Sequence, residues 1–133
     1  MKGSLKGRCV VDASAFLAFE KHENGAPRVA EALACGVVMS AVNWAEVQSK
    51  WAEWGKVPDE AQRLLLLSAI EIVPFDLQVA EEVARLRGQT RRANLSLGDR
   101  GCLATARLLG LPVLTADRAW ADIDLGIVVE TIR

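Results

Sequence analysis

Short, unbroken apolar runs separated by helical segments, with no hairpin turn between them, restrict this chain's fold more than any other feature. Cys9-Val10-Val11, Val37-Val38-Met39, Glu71-Ile72-Val73-Pro74, Pro112-Val113-Leu114-Thr115 and Ile127-Val128-Val129 are too short for helices and do not alternate apolar with polar residues. A strand with one wet face alternates, whereas a strand covered on both faces reads as a continuous apolar run. Such runs, alternating with helices, predict an α/β fold: a three-layer α/β/α sandwich around a short, mostly parallel central sheet.

The punctuation between the runs agrees. Ser14 opens a helix through Ala15, Phe16, Leu17 and Phe19, and Pro27 suits the first turn of a second helix that Gly36 stops. Ser40 caps a third, in which Trp44, Val47, Trp51 and Trp54 share a face before Gly55 ends it. Pro58 and Asp59 start a fourth through Leu64 to Leu67, and a fifth spans about Leu77 to Arg91. Ser96 and Asp99 have capping-box spacing at the head of a sixth, which runs to Leu109 before Gly110, and Asp117 to Ala121 suits a short turn or helix. No linker or repeat interrupts residues 1–133, so a single domain is expected. With 51% hydrophobic residues among 133, one core needs no disulfide or metal staple. Cys9, Cys35 and Cys102 form no C-x-x-C pair and read as free thiols among apolar neighbours. No apolar run approaches the roughly 18 to 20 residues of a membrane span, and Met1 to Lys6 precede no hydrophobic signal region; a cytoplasmic protein without membrane contact is expected.

In doubly wound sheets ligands bind beyond the carboxyl ends of the strands. Asp12 follows the first strand, Glu46 lies just past the second and Asp117 just past the fourth. Asp99 begins a helix that must run antiparallel to the strands, so its start also lies near their carboxyl ends. Taken singly, Asp99 caps a helix, Asp12 and Asp117 stabilise turns and Glu46 sits in solvent; together, all four falling at the ligand-binding edge favours a site. Four carboxylates in one crevice repel unless some hold protons or a cation compensates them. With oxygen ligands and only one His in the chain, the cation expected is Mg²⁺ or Mn²⁺. Ser14 and Thr115, each two residues from an acid of the set, carry hydroxyls that can orient a carboxylate.

Val10-Val11-Asp12-Ala13-Ser14-Ala15, Asn43-Trp44-Ala45-Glu46-Val47, Leu95-Ser96-Leu97-Gly98-Asp99-Arg100 and Val113-Leu114-Thr115-Ala116-Asp117 resemble the PIN-domain ribonucleases, in particular the VapC toxins of bacterial toxin–antitoxin pairs. The likeness covers nearly the whole chain. It implies a PIN-like sandwich and a metal-dependent endoribonuclease whose products carry a 5′ phosphate and a 3′ hydroxyl. Carried over by residue, Asp12, Glu46, Asp99 and Asp117 look like the catalytic metal-binding acids, with Ser14 and Thr115 as their hydroxyl neighbours. It also implies a VapB-like antitoxin partner and a homodimer.

An RNA substrate asks for basic surface. Of the 17 acids four belong to the set above, so the remaining 13 face 16 bases. Arg85, Arg87, Arg91 and Arg92 fall in a stretch without acids between Glu82 and Asp99, and Arg100 and Arg118 follow the third and fourth site acids. Arg91, Arg92, Arg100 and Arg118 are the phosphate contacts expected; Arg85 and Arg87 read equally well as a solvated helix face. The Trp44, Trp51 and Trp54 stripe reads as core or subunit interface before base stacking, Asp122 and Asp124 as turn residues, and His22 as surface. Gly101 inside a helix departs from good propensity and suggests close packing or approach. A receiver domain would need a late lysine, and the last here is Lys56; a haloacid-dehalogenase-type phosphatase would need Asp-x-Asp where Asp12-Ala13-Ser14 stands. P-loop and G-x-S-x-G motifs are missing. The alternative from another class is a catalytically silent PIN-fold module whose acids engage a basic partner segment.

Overall fold

The computed structural model describes residues 8–133, the side chain of Arg92 lying outside the described set. Five strands, β1 (Val10–Val11), β2 (Val37–Ser40), β3 (Ile70–Val73), β4 (Val113–Thr115) and β5 (Val129–Thr131), form one sheet in the order β3-β2-β1-β4-β5. Every pairing is parallel, with Val10 opposite both Val38 and Val113. The period-2 geometry of a strand splits the apolar runs between two cores. Val11, Val37, Met39 and Leu114 pack on one face with Phe16, Val29, Val47 and Trp51. Val10, Val38 and Val113 pack on the other with Val83, Leu86, Leu103 and Trp120. Both faces are dry, which is why the runs carry no polar alternation.

The helices are α1 (Ala13–Glu20), α2 (Ala26–Cys35), α3 (Ala41–Trp54), α4 (Glu60–Ala69), α5 (Leu77–Gln89) and α6 (Leu97–Leu109). Most begin on a side-chain cap. Asp12 caps α1, Ser40 caps α3 and Asp76 caps α5, while Asp59 with Gln62 and Ser96 with Asp99 close capping boxes on α4 and α6. α1, α2 and α3 supply the first core, α5 and α6 the second.

Several boundaries differ from the sequence reading by a residue or two, β3 spanning Ile70–Val73 where Glu71–Pro74 is expected, and two of the differences have a local cause. α5 ends at Gln89, and Arg91–Ala93 forms a separate 3-10 turn that closes on Asn94 in the left-handed region (φ 53°). β5 begins two residues later than the apolar triplet at Ile127, because Gly126 turns the chain with φ 72° and pairing with β4 begins at Val129 opposite Val113. Trp51 is buried and donates its Nε1–H to Glu20 Oε1 (2.7 Å), Trp44 meets it edge-on, and Trp54 is partly exposed beneath Lys21. Cys9 and Cys102 are buried free thiols as expected; Cys35, at the end of α2, is exposed instead, since its helix face turns to solvent there. Among the described residues no helix is long and apolar enough to cross a membrane.

Candidate active site

From β1 the chain winds outward through β2 to β3, then returns to lay β4 and β5 on the other side of β1. The winding reverses between β1 and β4, and a crevice opens at the carboxyl ends of strands where it does so. Asp12 immediately follows β1 and Thr115 ends β4, so both stand at that crevice.

Asp12 is only 5% exposed. Its Oδ1 accepts the Ala15 N–H (2.8 Å), the N-cap bond of α1, and its Oδ2 accepts the Thr115 hydroxyl (2.7 Å). Ser14 Oγ lies 2.8 and 2.9 Å from the two carboxylate oxygens. The hydroxyl directions follow from their other partners: Ser14 Oγ accepts the Ala116 N–H (3.0 Å) and Thr115 Oγ1 the Asp117 N–H (3.1 Å). Each hydroxyl hydrogen is therefore left to point at Asp12. Burial pushes the Asp12 carboxyl up from 3.8 to about 6, against the opposing pull of the Ala15, Thr115 and Ser14 donors; the charge of Asp99 adds to the rise.

Glu46 comes from the second turn of α3 and is exposed. Buried Asn43, one turn earlier, donates its amide to Glu46 Oε1 (2.7 Å) and to the Gly98 carbonyl at the start of α6 (3.1 Å). Asp99, the next residue, accepts the Ser96 N–H on Oδ2 (3.0 Å), completing the capping box of α6. The charges of Asp12, Asp99 and Glu46 all bear on the buried Cys102 thiol, which burial first of all drives well above its ordinary value. Through Asn43, Glu46 is tied to the head of α6 beside Asp99, and the charge of Asp99 reaches Asp12. Asp117 caps the 3-10 turn Arg118–Asp122 with Oδ1 on the Ala119 N–H (3.0 Å) and joins Asp12 only through Thr115.

Three of the four acids, Asp12, Asp99 and Asp117, are held by local caps, and among the described residues no three Asp, Glu, His or Cys side chains already gather closely enough to hold an ion. Nor is any of the four in an ion pair with a base among the described residues. The nine ion pairs of the described residues all use other acids: Glu23, Glu31, Glu53, Glu60, Glu71, Glu82 and Glu130. Oxygen donors without an ion-pair partner among the described residues are the chemistry that a hard divalent cation such as Mg²⁺ or Mn²⁺ takes.

The basic residues are more dispersed than the sequence suggests. Arg91 and Thr90 line a depression of about 400 Å³ with Asp122 and Asp124. Arg118 Nε donates to the Arg133 carbonyl (3.0 Å), and Arg100 Nη1 to the Val83 carbonyl (3.3 Å), which lays that guanidinium against α5. Arg85 pairs with Glu82 (2.7 Å), so the stretch is less uncompensated than its spacing implied. The Arg92 contact lies outside the described residues. Gly101 has a packing reason: a Cβ there would come within 2.6 Å of Val42 Cγ1.

Sequence reasoning missed Asn43 and Gly98. The first carries a signal, an amide three residues before an acid on one helix face; the second, a glycine in the first turn of α6, carries none that separates it from ordinary turn chemistry.

Comparison with curated protein sequences returns no match. Among solved structures the chain is similar to a toxin–antitoxin complex from Klebsiella pneumoniae, with 25% identity, a TM-score of 0.74, and coverage of 94% of this chain and 98% of that one. It is also similar to VapBC-5, a member of the VapBC family of toxin–antitoxin systems from Mycobacterium tuberculosis, with 25% identity, a TM-score of 0.59, and coverage of 96% and 98%. The fold is shared as well with VapBC2 from Rickettsia felis bound to a promoter DNA fragment, at 18% identity, a TM-score of 0.72, and coverage of 93% and 98%. A family model described as PIN domain matches residues 9–125, the span from β1 past all four acids, and the chain belongs to the PIN domain family.

Proposed function

We propose that this protein is a metal-dependent endoribonuclease and the toxin of a VapBC-like toxin–antitoxin pair. The observation that carries the reading is Asp12: a buried carboxylate at the winding reversal of the sheet, held by two aimed hydroxyls and paired with no base among the described residues. The company that the fold keeps among toxin–antitoxin complexes supports the toxin assignment. A VapB-like antitoxin, a homodimer and a cytoplasmic setting belong to the same reading.

In this reading Asp12, Glu46, Asp99 and Asp117 hold Mg²⁺ or Mn²⁺. The bound cation supplies Lewis-acid chemistry, activating a water and stabilising charge at a phosphodiester. Ser14 and Thr115 keep both Asp12 oxygens fixed, so the carboxylate needs no reorganisation when substrate arrives. The oxygens of Glu46, Asp99 and Asp117 that bond no backbone or amide donor among the described residues would be the ones offered to the ion. Arg91, Arg92 and Arg118 contact RNA phosphates. Hydrolysis breaks the P–O3′ bond, leaving a 5′ phosphate and a 3′ hydroxyl.

The test is RNA cleavage with Mg²⁺ or Mn²⁺ by the wild type and by Asp12→Asn. Divalent-dependent cleavage lost in the variant is expected, together with growth arrest on expression that Asp99→Asn relieves. Equal cleavage by both proteins rejects the site. No cleavage by either, with a basic peptide bound by the wild type alone, supports the silent binding module instead.

A further inference from the structure

We propose that Asn43 and Gly98 form a cradle that fixes the Glu46 carboxylate, making Asn43 a positioning residue for the metal centre. The inference rests on the metal-site reading above and adds two residues to it.

Glu46 is an exposed helical glutamate, and such a side chain ordinarily samples many rotamers. One hydrogen bond, from Asn43, and the close approach of Gly98 restrict it here. Asn43 Nδ2 donates to Glu46 Oε1 at 2.7 Å and to the Gly98 carbonyl at 3.1 Å. Both partners are acceptors only, so the amide orientation is unambiguous: nitrogen toward both, oxygen away. That oxygen, Asn43 Oδ1, is buried and has no hydrogen-bond partner among the described residues. A half-satisfied amide at a position 2% exposed destabilises the fold relative to an apolar residue of the same shape. What the amide does accomplish is to pin a surface carboxylate and tie α3 to the head of α6, next to Asp99.

Gly98 supplies the floor. A Cβ on it would stand 2.6 Å from Glu46 Oε1, 2.7 Å from Oε2 and 2.8 Å from Cδ, so the carboxylate rests directly on the glycine Cα. The atoms in the way are the end of a flexible side chain. Gly98→Ala therefore leaves the backbone where it is and improves helix propensity, but displaces Glu46. A merely structural Asn43 and Gly98 would move stability and leave metal affinity alone; a cradle does the reverse.

The experiment titrates the full-length protein with MnCl₂, following free Mn²⁺ by electron paramagnetic resonance, alongside thermal denaturation in EDTA. Asn43→Leu and Gly98→Ala are each expected to weaken Mn²⁺ binding about 10- to 100-fold, the range for residues that orient metal ligands. Gly98→Ala is expected to melt no lower than the wild type. In a Glu46→Gln background neither substitution should weaken binding further, because both act through that carboxylate. Affinity within twofold of the wild type in Gly98→Ala overturns the cradle, and that variant decides if Asn43→Leu fails to fold. Asp12→Asn separates the two levels. If the wild type binds Mn²⁺ no better than Asp12→Asn, the metal reading itself falls; if Asp12→Asn loses binding while Gly98→Ala keeps it, the cradle alone falls.

Discussion

Removing the charge of Asp12 should stabilise the metal-free protein. Burial raises its carboxyl from 3.8 to about 6, a shift of roughly two units, worth about 3 kcal/mol at 1.36 kcal/mol per unit. The sign follows from proton linkage. The folded state holds the proton more tightly than the unfolded one, so stability is greatest below 3.8 and falls as pH rises to about 6, above which the whole penalty is present. Asn carries no charge at any pH and keeps an oxygen for the Ala15 N–H, but turns an amide nitrogen toward the Thr115 or Ser14 hydroxyl, giving back about 1 kcal/mol. The net gain for Asp12→Asn at pH 7.5 is about 2 kcal/mol, or roughly 8 °C in Tm for a domain of this size. The assay is thermal denaturation in EDTA from pH 4.5 to 8. The gain should vanish near the acid end, where the wild-type carboxyl holds its proton, and saturating Mn²⁺ should raise the wild type alone. A variant that melts below the wild type at pH 7.5, or a difference that does not change with pH, refutes the reasoning.

Thr115→Val keeps the shape of a fully buried residue but deletes the hydroxyl on Asp12 Oδ2 and the acceptor of the Asp117 N–H; it should cost about 1–2 kcal/mol in urea denaturation and lower RNA cleavage about 10- to 100-fold. Glu82 lies between Arg107 and Arg85, whose hydrogen bonds hold its carboxyl below the usual range; that stability is present above the ordinary glutamate pKa and is lost as pH falls through the lowered one. Glu82→Ala should therefore destabilise by about 1–2 kcal/mol at pH 7 and flatten the acid limb of the stability–pH curve. Gly101→Ala should gain about 1 kcal/mol of helix propensity but push on Val42 Cγ1 at 2.6 Å, for a net loss of about 1–2 kcal/mol read from the urea midpoint.

The sequence carries the fold where local chemistry and tertiary context agree. Val37-Val38-Met39 could be read as a strand because both its faces meet helices, and α6 could be bounded by Ser96 and Gly110 because caps are local. β5 slid by two residues because an edge strand takes its register from its single neighbour and from Gly126, neither of which the apolar triplet reveals. Asp12 and Thr115 were legible from strand ends in a doubly wound sheet, although their bond spans 103 residues. The Asn43 contact with Gly98, across 55 residues, was not, since it depends on how closely α3 and α6 approach. Arg100 shows the converse. Next to Asp99 in the chain, its guanidinium lies along α5 because a long side chain on α6 reaches the neighbouring helix more readily than its sequence neighbour's crevice.

A carboxylate with no ion-pair partner among the described residues needs some other source of positive potential, and helix starts supply it. Asp12 accepts the third backbone N–H beyond it at the head of α1, Asp99 sits in the first turn of α6, and Asp117 opens the 3-10 turn. Each negative charge therefore lies against unpaired N–H groups and, for α1 and α6, the positive end of a helix dipole. Capping one oxygen leaves the other available, so the bonds that shape the chain ends also hold the acids in readiness without a paired base. The same sharing explains why Asp12, Asp99 and Asp117, taken singly, read as ordinary caps or turn residues: the proposed site asks for the carboxylate oxygens that capping leaves over, and it is the placement of several such acids toward the carboxyl edge of one sheet that suggests more than capping.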